Sequence, residues 1–165
     1  MQSSQHHIIT SVSTWLAQDK AVWLCTILKT WGSSPRPVGA MMACTLQGEM
    51  VGSISGGCIE EDFLEQLRTG SLKQRYEDEG QPFIVQYGVS AEEQARLRLP
   101  CGGQLHVLVE FIEPVPAMIT VFSELAAALN DHQRISRHVD LRSGVISTRQ
   151  VASDDAITLA DEQML

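Results

Sequence analysis

The chain has 165 residues, 44% of them hydrophobic and 19% charged, which suits one globular domain with a sizeable core. Twenty acids against twelve Lys and Arg leave a net charge of −8 with no basic cluster, so nucleic acid and anionic membrane are excluded as expected partners. No apolar run reaches the roughly 18–20 residues of a bilayer span, and Met1 to His7 lack the apolar core of a secretion signal, so the expected location is cytoplasmic.

In chain order, Ile8, Ile9, Val12, Trp15 and Leu16 recur at helical spacing and predict a helix over residues 4–18. His6 and His7 precede that pattern and read as plain surface. The run Ala21 to Thr30 is almost continuously apolar, which favours a buried strand with Cys25 in the core. Trp31 to Gly39 follows as a loop whose prolines, Pro35 and Pro37, exclude helix and central strand and hold Arg36 between them. One reading of this loop is a rigid surface turn. The other is an anion clamp, with hydroxyls from Ser33 and Ser34 and the planar guanidinium of Arg36, a fork suited to phosphate.

Residues 40–46 and 50–54 predict two strands of a hairpin around Gln47-Gly48-Glu49, with Cys44 packed inside. Then Ser55-Gly56-Gly57-Cys58 turns the chain, and Ile59, Phe63, Leu64 and Leu67 predict a helix stopping near Gly70. Cys58 thus stands at a helix N-terminus, where unpaired N–H groups and the dipole favour anions and acidify a thiol. Glu60, Glu61 and Asp62 fill the same first turn and would repel a phosphate unless they project away. The bland alternative is a tight glycine turn with a buried cysteine.

Leu72 and Tyr76 suggest a strand over residues 71–76, and Phe83 to Tyr87 another. Residues 88–98 predict a short polar helix capped by Ser90, or else a mobile loop. Leu99-Pro100-Cys101-Gly102-Gly103 repeats the cysteine–glycine pairing ahead of Gln104 to Ile112, the clearest alternating strand, on which His106 opposes the apolar stripe. A helix around Met118, Val121, Phe122, Leu125 and Leu129 follows, then a hairpin of 134–141 and 144–150. The expected organisation is one domain over residues 1–150 and an acidic tail or linker over 151–165. The expected fold class is α/β, a mixed sheet with flanking helices in a single compact domain.

The sequence holds no G-x-G-x-x-G, no G-x-x-x-x-G-K-[ST], no C-x-x-C and no H-E-x-x-H. Nothing therefore points to a dinucleotide site, a phosphate loop or a standard zinc site. The four cysteines, Cys25, Cys44, Cys58 and Cys101, read as thiols rather than a disulfide framework. Cys58 and Cys101 together would suit a soft metal or a sulfur relay if the fold brought them together.

Three segments carry a resemblance: Gly-Ser-Ser-Pro-Arg-Pro-x-Gly-Ala-x-Met at 32–42, Ser-x-Ser-Gly-Gly-Cys-x-Glu at 53–60, and Pro-Cys-Gly-Gly-x-x-x-Val-x-Val-Glu at 100–110. In order and spacing the set resembles the XdhC/CoxI family over roughly residues 5–150. That resemblance implies an accessory protein of molybdenum hydroxylases such as xanthine dehydrogenase and carbon monoxide dehydrogenase. Such a protein binds the molybdenum cofactor (molybdopterin) as cargo, assists exchange of an oxo for a sulfido ligand, and passes the cofactor to the apoenzyme. The implied partners are a xanthine dehydrogenase-type apoenzyme and a cysteine desulfurase. Many members continue into a C-terminal Rossmann-like domain, so the resemblance implies either a short member or one domain of a longer protein.

On the matched positions, Ser33, Ser34 and Arg36 are expected to meet the cofactor's phosphate. Backbone amides around Ser55, Gly56, Gly57, Gly102 and Gly103, with Glu60 in the same motif, are expected at the pterin or oxo groups, and Cys58 or Cys101 at the metal or sulfur. The expected protein is a carrier rather than a catalyst, and a homodimer. Two other readings stand beside it: a sulfurtransferase or redox enzyme using Cys58, and an assembly scaffold that binds no cofactor.

Overall fold

In the computed structural model the described residues are 4–32, 36–55, 58–80, 82–88, 92 and 103–150; the side chain of Cys58 lies outside the description. Their elements run α1 (Ser4–Ala17), β1 (Val22–Trp31), β2 (Met41–Thr45), β3 (Met50–Gly52), α2 (Cys58–Thr69), α3 (Ser71–Glu79), β4 (Phe83–Tyr87), β5 (Gln104–Ile112), α4 (Pro116–Asn130), β6 (Ile135–Val139) and β7 (Ile146–Gln150). Five strands form one sheet in the order β3-β2-β1-β5-β4, and β6 with β7 makes a separate hairpin. Every neighbouring pair is antiparallel. Helices cover both faces of the larger sheet, the α/β arrangement expected from the sequence.

β1 is the central strand, and its unbroken apolar run follows from burial on both faces. Trp23, Cys25 and Ile27 point to one side with Met42, Cys44, Leu105, Val107 and Val109, where Ile59 and Phe63 of α2 and Leu72 of α3 close the core. Trp23 is fully buried there, with the rings of Phe63, Tyr76 and Phe111 around it at 6.4, 5.7 and 4.6 Å. Val22, Leu24, Met41 and Ala43 point to the other side, against Ile8, Val12 and Leu16 of α1 and Phe122 and Leu125 of α4.

The β6–β7 hairpin joins this second layer through Ile135 and Ile146. Arg137 reaches back to the sheet and donates twice to Glu110, at 2.6 and 2.9 Å. Glu110 is 1% exposed, so this fork neutralises a carboxylate deep in the layer.

Two expectations are corrected. Residues 71–76 are not a strand but the start of α3, an assignment that local chemistry explains. Leu72 and Tyr76, four apart, share a helix face as readily as a strand face. The intervening Lys, Gln and Arg are good helix formers, and Gln74 and Arg75 bond forward to Asp78 and Glu79 at 3.0 Å each. Gly70, at φ +81°, ends α2 and lets α3 begin at once.

His6 is not surface. It is buried, and its Nε2 lies 2.7 Å from Asn130 Oδ1, tying the start of α1 to the end of α4. The expected helix or loop at 88–98, apart from Gly88 and Glu92, and the tail from 151 lie outside the described residues. Among the described residues no helix is long and apolar enough to cross a membrane.

Candidate functional site

Antiparallel pairing decides where the three glycine-bearing motifs begin and end. Thr26 pairs with Met41 and Trp31 with Gln104, so β1 ends where β2 and β5 begin. Met42 pairs with Gly52 and Tyr87 with Leu105, so β3 and β4 finish at that same end. The described flanks of all three motifs therefore share one end of the sheet: Gly32 and Arg36–Ala40, Gly52–Ser55, and Gly88 with Gly103. Ser33, Ser34, Gly56, Gly57, Cys101 and Gly102 lie outside the described residues, as does the side chain of Cys58.

The first loop is anchored on its return side. Gly39 N–H donates to Ile27 O and Ile27 N–H to Ala40 O, each at 2.9 Å. Gln5 of α1 donates its side-chain amide to Gly39 O at 2.8 Å. Gly39 has φ +89°, a conformation glycine adopts without Cβ strain, and this bend returns the chain to β2. Arg36 sits half-buried just before this anchor.

The second loop is built around Glu60. Its carboxylate accepts from Ser53 Oγ at 2.8 Å, Ile54 N–H at 2.6 Å and Ser55 N–H at 3.0 Å, and from Ser55 Oγ as well. Ser55 Oγ in turn accepts from Ile59 N–H at 3.0 Å, in the first turn of α2. Burial pushes the Glu60 carboxyl up, but the bonds from Ser55, Ile54 and Ser53 outweigh it and hold the group at about 2.

The acidic first turn is thus largely resolved. Glu60 is folded back under the loop, Glu61 lines a groove beside Leu46–Gly48 at the opposite end of the sheet, and Asp62 accepts from Gln66 at 2.7 Å. Gly52 precedes this loop at φ +80°, and a Cβ there would lie 2.3 Å from Met41 O and 2.7 Å from Ile8 Cδ1.

Two cations, Lys29 and Arg36, stand toward this end in a chain of net charge −8. The thiols of the core are a separate matter. Burial raises Cys25 well above a thiol's ordinary range and pushes Cys44 up to about 12. Both are buried packing residues. Among the described residues no group of three His, Cys, Asp or Glu is placed to hold a metal ion.

Residues 15–88 match the sequence profile of the XdhC and CoxI family, a stretch that contains the first two motifs. Over that stretch the chain is similar to the family. Its relatives include a molybdenum cofactor insertion chaperone of Escherichia coli, 26% identical over 67% of this chain and 32% of the relative. A probable xanthine dehydrogenase subunit from Bacillus subtilis is 31% identical over 58% of this chain and 27% of its own length. The crystal structure of a xanthine dehydrogenase from Bacillus halodurans superposes with a TM-score of 0.53 at 28% identity, over 73% of this chain and 35% of that one. The chain thus spans about a third of the length of the relatives it matches.

Sequence reading missed three parts of this end of the fold: the Gln5 anchor, the steric demand at Gly52, and the placement of Lys29, Trp31 and His106 on one face. The last had a faint signal in the alternation of Lys29 and Trp31. The first two depend on contacts across the fold.

Proposed function

We propose that this chain is a molybdenum-cofactor-binding chaperone domain that assists sulfuration of the cofactor and its insertion into a xanthine dehydrogenase-type molybdenum hydroxylase. The observation that carries this reading is the convergence of the described flanks of the three motifs at one end of the sheet, with the Glu60 carboxylate folded back under its own loop. The name of the Escherichia coli relative supports the cargo, and the xanthine dehydrogenase names of the other two support the client.

The donor set fits the cargo. A phosphate calls for a guanidinium and hydroxyls, supplied by Arg36, Ser33 and Ser34. A polar pterin calls for backbone amides, supplied around Ser55, Gly56, Gly57, Gly102 and Gly103. A soft metal centre or its sulfur calls for thiolates, which Cys58 and Cys101 would provide. Glu60 serves by shaping the loop that presents them. When bound, the cofactor supplies the metal that the client enzyme uses, and this chain's residues hold it and exclude water. A cysteine desulfurase is the proposed sulfur source, and a homodimer the proposed assembly.

The test is to add molybdenum cofactor to the purified chain and measure retained molybdenum and phosphorus per chain. Wild type is expected to retain about one equivalent, with Arg36→Ala losing phosphate-dependent affinity and Cys58→Ser losing molybdenum. No retention by wild type would sink the reading. A sulfurtransferase would rest on Cys58 or Cys101, because the two core thiols are buried and held protonated. It predicts a persulfide on one of those two cysteines after incubation with a sulfur donor.

A further inference from the structure

Three tryptophans occur in the chain, and two are core: Trp23 is 0% exposed and Trp15 8%. Trp31, the last residue of β1, is 40% exposed. A lone exposed aromatic would need no explanation, but this one has company. Val38, also 40% exposed, lies on the other side of the same motif loop, so large apolar groups flank residues 33–35 at both ends.

The register then brings charge to the indole. Lys29 pairs with His106 and Trp31 with Gln104, which puts all four side chains on one face. His106 stands edge-on to Trp31 with ring centroids 4.5 Å apart, and Lys29 Nζ lies 5.4 Å from the indole centroid. The imidazole is held below its ordinary range by burial and by Lys29, so it is neutral at pH 7 and Lys29 is the cation beside the ring. An exposed indole beside an ammonium suits a flat heteroaromatic ring bearing an anion.

We infer that Trp31 is the stacking platform for the pterin ring of the cargo, with Lys29 meeting its anionic substituent and His106 fixing the indole from the side. This rests on the cofactor reading above and assigns a ring-binding role to Lys29 and Trp31, which lie outside the three motifs. A purine nucleotide offers the same chemistry of flat ring and anion, and the experiment separates the two.

The probe is 6-carboxypterin, added to the full chain and followed by calorimetry and by the pterin's own fluorescence, excited beyond tryptophan absorption. Wild type is expected to quench the pterin and raise its anisotropy. Trp31→Ala should weaken binding about tenfold or more, and Trp31→Phe by about threefold at most, since a ring remains. Lys29→Ala, a second and independent arm, should weaken it several-fold and flatten its salt dependence. Binding by Trp31→Ala equal to wild type, no binding by wild type, no change in Lys29→Ala, or preference for GMP over the pterin would each overturn the inference.

Its failure is distinct from that of the chaperone reading. Equal retention of molybdenum cofactor by wild type and Trp31→Ala overturns the stacking role and leaves the chaperone standing. Pterin binding through Trp31 without cofactor retention does the reverse.

Discussion

Glu60 and Gly52 show how single residues set the candidate site. Glu60 is an acid at a helix start, which in sequence reads as ordinary dipole chemistry, yet its carboxylate is the hub of the Ser53–Ser55 loop. Its folded value of about 2 lies below the ordinary 4.5. A depressed carboxylate contributes stability above its unfolded value and loses it as pH falls through the folded one. The contribution is therefore complete above about pH 5, with an upper bound of about 3 kcal/mol, and fades toward pH 2. Glu60→Gln places an amide against donors, so urea unfolding at pH 7 should show a loss of about 2 kcal/mol. That gap should close by about pH 2–3; a gap independent of pH would refute the ionic origin.

Gly52→Ala combines a left-handed backbone with a Cβ at 2.3 Å from Met41 O. A destabilisation of about 2–3 kcal/mol is expected in thermal melts, and a melting temperature within a degree of wild type would contradict the packing described.

Among the elements, the β6–β7 hairpin depends most on one contact. Its apolar residues are only half-buried, while Arg137 crosses to the buried Glu110 and also lies 5.8 Å from the centroid of the Phe122 ring. Arg137→Met leaves Glu110 buried without its guanidinium, and a loss of about 3 kcal/mol is expected by chemical denaturation. Adding Glu110→Leu should restore most of that loss, because an apolar pair of similar volume removes the uncompensated charge. If the double variant is no more stable than Arg137→Met, the ion pair is not the source of the effect.

α3 carries a related lesson about elements. Its Leu72 and Tyr76 fit two periodicities, and helix-forming residues between them together with the glycine at position 70 settle which one operates.

At the scale of the whole molecule, an acidic chain places Lys29 and Arg36 toward the end of the sheet where the motif flanks meet. The field there favours an anionic cargo, and the effect must weaken as the Debye length falls from about 10 Å at 0.1 M salt to about 3 Å at 1 M. Retention of molybdenum cofactor by wild type is expected to drop several-fold across that range, with a shallower drop in Lys29→Ala and Arg36→Ala. Equal salt response in all three would show that these cations do not hold the cargo. The opposite end, with Lys20 bonded to Glu49 at 2.8 Å and Glu61 in the groove beside the β2–β3 turn, carries mixed charge and none of the motifs.

The sequence by itself determined β1 and β5, because both are written in unambiguous apolar patterns, and it determined the three motifs, because glycine, proline and cysteine at fixed spacing are local chemistry. It also contained the helix start at Cys58 and the packing of Cys25 and Cys44. Only the tertiary structure decided that the motif-bearing loops share one end of a sheet, since that depends on antiparallel pairing of residues up to about ninety positions apart in the chain. The same holds for His6, whose apolar neighbours say nothing of Asn130 at the far end of α4. It holds too for Glu60: the dipole argument applies to any acid in a first turn, whereas folding that carboxylate under its own loop requires the Ser53–Ser55 turn to aim four donors at it.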